Sequence, residues 1–320
     1  MIELETKSGM GGAEWESLVE RCGGHPLHLP EVHAVDQADN ERIHVLFRSG
    51  SETVGCSLAY QSGGGWFRKK PRSLLFPTPP ALRLDAATDR VLVFERILEL
   101  ARNLRCNELV IQPNWGAHLA EIPAFSGHVS RRLIEFVLDL NRDPAAIEAG
   151  MHRVHRKNMR RAERDGVTVS RDSTIDGLLT LRSMQQVSSE RSAKKGGGFT
   201  VRDNSFFERM HQTVYASGRG ELLLAYKDGQ PIAGLAYLIG ARRAITVRSG
   251  CTRDGYALNA MYLLQSSVIQ RAREKEVIEL NLGGVPEEAT QPGHPQRGLY
   301  EFKRGWGGTE IHSDGIRMAV

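Results

Sequence analysis

Glu221-Leu222-Leu223-Leu224-Ala225-Tyr226, Ile232-Ala233-Gly234-Leu235-Ala236-Tyr237-Leu238-Ile239 and Ala244-Ile245-Thr246-Val247-Arg248-Ser249 follow one another with only short breaks between them. Each run is apolar and too short for a helix, so three strands in series are predicted. Lys227-Asp228-Gly229-Gln230 between the first two is a hairpin signal, because Asp-Gly tolerates the positive φ of a tight turn. Downstream, residues 257–275 place Leu258, Met261, Leu264, Val268 and Ala272 on one helical face, and residues 277–282 read as one more strand. Upstream, residues 174–189 and 204–217 read as helices. Between them lies a polar stretch, 191–203, containing Gly196-Gly197-Gly198. Before those helices, residues 144–165 form one long basic helix stopped by Gly166, followed by a strand at 167–170.

A helix pair, a strand meander, a long helix and a closing strand make the order expected of a GNAT-type acyltransferase fold. A weaker version of that order runs through the first half. Residues 14–21 and 89–103 read as helices, and 42–47, 52–59, 108–111 and 132–140 as strands. Arg48-Ser49-Gly50-Ser51 is the turn between the first two strands, 61–65 is a glycine-rich loop, and Phe76-Pro77-Thr78-Pro79-Pro80 is held extended by its prolines. The fold class expected is therefore α/β, with two GNAT-like domains and mixed sheets. Asn141-Arg142-Asp143-Pro144 marks the boundary. This gives a first domain at 1–143, a second at 144–304 carrying the site, and a C-terminal segment, 305–320, returning to pack on the first domain.

Bulk properties narrow the function classes. The chain has 320 residues, 40% hydrophobic and 25% charged, as in a globular protein with a sizeable core. No stretch approaches the roughly 20 apolar residues of a membrane span, and Met1-Ile2-Glu3-Leu4-Glu5 lacks a secretory pattern, so a cytoplasmic protein is expected. Cys22, Cys56, Cys106 and Cys251 are widely spaced and read as reduced, buried side chains. No metal site is expected: His152 and His155 are three apart but sit among arginines. The net charge of +4 is a weak pointer to a polyanion, and its distribution matters more.

Two segments concentrate the chemistry. Tyr300-Glu301-Phe302-Lys303 lies just beyond Asn281-Leu282-Gly283-Gly284-Val285, placing one cation beside aromatic surface at a strand exit. Such a cation can neutralise a developing oxyanion, although Lys303 can also be a surface lysine following a core Phe302. Arg153, Arg156 or Lys157, Arg160 and Arg164 recur at helical spacing, a cationic stripe suited to a sugar-phosphate backbone. The plainer alternative is a solvated face partly neutralised by Glu163 and Asp165. Arg191, Arg202 and Arg248 are candidates for carboxylate or phosphate recognition, or for pairing with nearby acids such as Asp203 and Glu190. The absence of a Ser-His-Asp arrangement or G-x-S-x-G elbow disfavours an acyl-enzyme.

The run from Arg156-Lys157-Asn158 to Gly166-Val167-Thr168-Val169 resembles the basic helix and strand entry of the FemXAB aminoacyltransferases. Ser189-Glu190-Arg191 with Arg202-Asp203-Asn204-Ser205-Phe206-Phe207-Glu208-Arg209-Met210 is similar to that family's acceptor-binding segment. Leu282-Gly283-Gly284-Val285 and Tyr300-Glu301-Phe302-Lys303 resemble its last signature. The resemblance covers about half the chain, and compact FemX-like members are the nearest match. It implies transfer of an aminoacyl group from aminoacyl-tRNA to an amine, typically on a peptidoglycan precursor peptide, with no further cofactor. It also implies that Lys303 is the catalytic cation and Phe302 its neighbour at the acyl site. Arg202, with Arg248, Arg191 and Phe206, would bind the acceptor, and Arg153, Arg156, Lys157, Arg160 and Arg164 the tRNA.

Three departures bear on the acceptor: Arg248 and Phe206 stand where family members tend to carry tyrosine, and an N-terminal position expected to be lysine falls near Asp36. A tRNA-dependent enzyme acting on a natural-product amine is therefore one alternative, and a non-catalytic binding module another. A third is an acetyl-CoA-dependent N-acyltransferase. Thr252-Arg253-Asp254-Gly255-Tyr256-Ala257 keeps only the Gly-x-Ala end of the loop such enzymes use for pyrophosphate.

Overall fold

The computed structural model describes residues 2–63, 71–83, 89–194 and 196–320. Residues 64 and 65 of the expected glycine-rich loop, and Lys195 of the polar stretch, lie outside them. The chain divides into two compact units, Met1–Glu135 with Ile311–Val320, and Phe136–Glu310. The division therefore falls at 135/136 rather than at 143/144. Val137, Leu138 and Asp139 pair with Asn281, Leu280 and Glu279 of the second unit, so the chain has changed units before it reaches Asn141. Residues 305–310 stay with the second unit, and Ile311–Val320 belong to the first.

In the first unit, strands β1 (Ile2–Lys7), β2 (Glu41–Ser49), β3 (Glu52–Ser62), β4 (Ser73–Phe76) and β6 (Glu108–Ile111) lie in that order, followed by the C-terminal β14 (Thr309–Ala319). A short β5 (Ala81–Leu82) pairs with β3. Neighbours are antiparallel except β4 and β6, which run parallel from Ser73↔Glu108 to Phe76↔Ile111. Helices α1 (Gly12–Arg21), α2 (Pro30–His33) and α3 (Arg90–Asn103) complete the unit. Asp89 caps α3 by accepting from the Val91 and Leu92 amides. The apolar face of α3, Val93, Phe94, Ile97 and Ala101, joins Val45, Phe47, Phe76 and Leu109 in the core.

The second unit takes β7 (Val129–Asp139) from Phe136 onward, then α4 (Pro144–Gly150), α5 (Arg153–Arg164), β8 (Thr168–Arg171), α6 (Ile175–Ala193) and α7 (Asn204–Met210). The meander follows as β9 (Gly220–Lys227), β10 (Gln230–Gly240) and β11 (Arg243–Cys251). Last come α8 (Arg253–Ala257), α9 (Ala260–Glu274), β12 (Glu279–Asn281), β13 (Val285–Pro286) and α10 (Arg297–Arg304). The sheet order is β7-β12-β11-β10-β9-β8, in which β11 and β12 run parallel and the other neighbours antiparallel, while β13 pairs with β7 off this path. Each unit thus has one parallel pair joined through a helix, α3 or α9, and these crossovers repeat one design.

Two expected helices are broken. Residues 144–165 divide at Met151 and His152, both extended, with His152 Nδ1 accepting from the Val154 amide as the cap of α5. Residues 257–275 divide at Asn259, which takes the left-handed conformation at φ 57°. Residues 211–215 continue α7 as a π turn. The helix expected at 174–189 extends to Ala193, so Arg191 sits in its last turn. All four cysteines are free and buried, and burial pushes the Cys251 thiol up to about 12. Among the described residues no helix is long and apolar enough to cross a membrane.

Candidate active site

The second unit's site begins where its parallel strands part. Pairing of β11 with β12 ends at Ile245↔Asn281, while β11 continues to Cys251. Beyond Asn281 the chain turns through Gly283 at φ 76°, and the Gly283 amide donates to Asn281 Oδ1 at 2.8 Å. A Cβ on Gly283 would lie 2.9 Å from the Thr246 carbonyl and 3.3 Å from Lys303 Nζ, so only glycine leaves room for that lysine. Lys303 Nζ donates to the Gly283 carbonyl at 2.9 Å and the Gly284 carbonyl at 3.1 Å. The lysine singled out in the sequence is therefore half-buried against the strand exit rather than extended into solvent.

Aromatic side chains surround the residue before it. The Phe302 ring stacks on His155 with centroids 5.6 Å apart and meets Tyr262 edge-on at 5.1 Å and Trp306 at 5.9 Å. Trp306 is fully buried and anchors the exit from α10. His155 Nε2 donates to the Phe302 carbonyl at 2.8 Å. Since a carbonyl only accepts, Nε2 carries the hydrogen, and burial holds the imidazole below its ordinary pKa.

A second cluster gathers on α7 and β11. Asp203 caps α7 by accepting from the Phe206 amide and Ser205 hydroxyl, which holds its carboxyl below the usual range. The buried Phe206 ring then carries two guanidiniums, Arg202 Cζ at 4.5 Å and Arg248 Cζ at 4.6 Å. Arg248 also lies 5.7 Å from the Phe207 ring. Phe206 is thus a core residue whose ring contacts two cations, each of a kind that matches a carboxylate or phosphate. Arg248 follows Thr246 by two positions on β11, and the β10–β11 register shifts between Ala236 and Tyr237, opposite Val247. Arg191 stands apart from this pair, its guanidinium 3.5 Å above the Tyr256 ring.

The cationic helix is split in role. Arg153, Lys157, Arg160 and Arg164 are exposed along α5. Arg156 instead turns back, donating to the carbonyls of Glu148, Ala149 and Met151 at the end of α4. That corrects its expected place in the stripe: Arg156 adds a donor at a helix end where the Glu148 carbonyl also accepts from the Met151 amide. Arg160 pairs with Glu148 at 3.2 Å. Nothing in the sequence spacing announces His155 or Tyr262, since residues 155 and 302 are 147 positions apart.

Residues 130–304, more than half of the chain, match the acetyltransferase (GNAT) domain family. The chain belongs to that family. As a GNAT protein it is an acyl-transferring enzyme, and both of its units are built on the same scheme. Its fold matches the crystal structure of FemX at a TM-score of 0.75, with 15% identity, over 98% of this chain and 97% of that one. A tandem GNAT protein from the clavulanic acid biosynthesis pathway superposes at 0.52 with 16% identity, over 99% and 98% of the two chains. In sequence, 96 residues are 29% identical to the lipid II:glycine glycyltransferase of Staphylococcus saprophyticus. That match spans 30% of this GNAT chain and 22% of the glycyltransferase, about a fifth of its length.

Proposed function

We propose that the protein transfers an aminoacyl group from aminoacyl-tRNA to an amine of a peptidoglycan precursor peptide. The reading is carried by the placement of Lys303, whose ammonium is fixed by two glycine carbonyls at the parting of β11 and β12. In this reaction the acceptor nitrogen attacks the ester carbonyl carbon, the bond to the ribose oxygen breaks, and that oxygen takes the proton the nitrogen sheds. Charge builds on the carbonyl oxygen, and a preorganised ammonium beside it lowers the barrier. Arg202 and Arg248, on opposite sequence segments but one ring, supply the acceptor's anion site. The exposed cations of α5 supply the tRNA contact.

The family match favours a second reading, an acetyl-CoA-dependent N-acyltransferase. Against it, the Gly255 amide at the start of α8, which a pyrophosphate would need, already donates to Thr252 Oγ1 at 3.1 Å. A Cβ at Gly255 would sit 2.3 Å from the Ile232 carbonyl, so this turn packs onto β10. Incubation with radiolabelled aminoacyl-tRNA or acetyl-CoA and candidate amines separates the two. RNase-sensitive label transfer to a precursor peptide is the expected result. Transfer from acetyl-CoA alone overturns it, and transfer only to small amines moves the acceptor to a natural product.

A further inference from the structure

The first turn of α5 meets the last turn of α10, the helix that carries Lys303. The His152 amide donates to the Gly305 carbonyl at 2.8 Å, and His155 Nε2 donates to the Phe302 carbonyl at 2.8 Å. The last carbonyls of a helix have no partner within it, so one in the last turn of α10 is satisfied from α5, and that of its C-cap Gly305 from the N-cap of α5. The imidazole also stacks on Phe302 at an interplanar angle of 28°. It occupies the space beside Gly305 so fully that a Cβ there would lie 2.1 Å from its Cε1. Position 305 must then be glycine for the ring to fit. His155 Nδ1 is buried and has no hydrogen-bond partner among the described residues, so the ring's hydrogen bonding rests on Nε2 while its packing comes from the surrounding aromatic rings.

We propose that His155 is a positioning residue for the transfer reaction, holding the last turn of α10 so that Lys303 Nζ stays on the Gly283 and Gly284 carbonyls. It touches no reacting atom. The assignment rests on the reading of Lys303 as the catalytic cation, but the geometric claim can be tested without turnover. Because α5 also bears Arg153, Lys157, Arg160 and Arg164, one rigid helix joins the exposed cations to the lysine's anchor.

The test compares H155F, which keeps a stacking ring but loses the donor, with H155Q, which restores an N–H donor. Lys303 position is read by competitive acetylation of the intact protein with acetic anhydride, quantified by mass spectrometry. Its reactivity should rise severalfold in H155F and return towards wild type in H155Q. In the transfer assay, H155F should lower kcat at least tenfold while KM for aminoacyl-tRNA stays within twofold, and H155Q should recover most of the rate. Unchanged Lys303 reactivity in H155F, or a defect confined to KM, overturns the proposal. Equal damage in both variants with matching falls in melting temperature also overturns it, because that marks a purely structural residue. Should H155F melt below the assay temperature, H155M takes its place under the same criteria. If K303A keeps full activity, the catalytic reading fails instead, while the labelling result still decides the anchoring claim.

Discussion

Tyr237 Oη donates to Glu221 Oε2 at 2.6 Å, joining β10 to β9 through a carboxylate that is only 3% exposed. Arg271 reaches the same carboxylate at 3.2 Å, Arg171 at 3.4 Å and Lys275 at 3.0 Å. Helix α9 is thereby tied to the sheet by charge as well as by its apolar face. Burial alone would raise the Glu221 pKa, but hydrogen bonds from Tyr237, Arg271 and Lys275 outweigh it and the net shift is downward.

The consequence is an acid-sensitive stability contribution. Because the native pKa lies below the usual glutamate value of about 4.3, the contribution is complete above that pH. It is lost as pH falls through the lowered native value. Glu221→Ala should cost about 2–4 kcal/mol at neutral pH, below the full penalty of a broken buried pair because the three cations keep contact with water. Urea melts at pH 7 and pH 3.5 check this. The difference between wild type and variant should shrink at the lower pH.

Lys303→Ala should leave the fold cooperative and remove most turnover. Loss of one oxyanion donor typically costs about 2.7–4 kcal/mol, a fall in kcat of about a hundredfold or more. Single-turnover transfer, with substrate binding measured separately, distinguishes this from weakened binding.

Arg153→Ala, Lys157→Ala and Arg164→Ala combined should raise KM for aminoacyl-tRNA and flatten its salt dependence by about one log unit per phosphate contact removed. Arg156→Ala should behave differently. It should lower stability by about 1 kcal/mol, since three carbonyls at the end of α4 lose a hydrogen bond from the guanidinium, with little change in salt slope. Titrations at several ionic strengths alongside thermal melts read both effects.

Arg248→Ala should raise KM for the acceptor by about tenfold or more, the scale of a lost charge-assisted hydrogen bond. KM for the donor should stay constant. Acceptors lacking an anionic group should be insensitive to the change, which initial-rate measurements with paired substrates can show.

Gly250→Ala probes the seat of β11. A Cβ there would lie 2.7 Å from both the Gln185 amide and Met184 Cβ of α6. Overpacking of this kind costs about 1–3 kcal/mol, and a lowered denaturation midpoint is the expected outcome.

The strand meander and its hairpin were legible because Asp228-Gly229 and three apolar runs are local signals. The helix carrying Phe206 was legible in the same way, but Arg202 lies before its cap, and its place over the Phe206 ring was not. The breaks at residues 151 and 259 were not legible. At the first, Gly307 approaches so closely that its Cβ would sit 2.4 Å from the Gly150 carbonyl, a constraint arising more than 150 positions away. Arg156 reads as one more cation at helical spacing until the preceding helix ends beneath it. The left-handed turn at Asn259 leaves no mark in a pattern whose apolar face continues on both sides.

With every native thiol sealed inside the protein, maleimide chemistry has no accessible target on the wild-type surface. One cysteine introduced at exposed Ser183 would give a single point for a fluorophore, and the unaltered chain would serve as the unlabelled control.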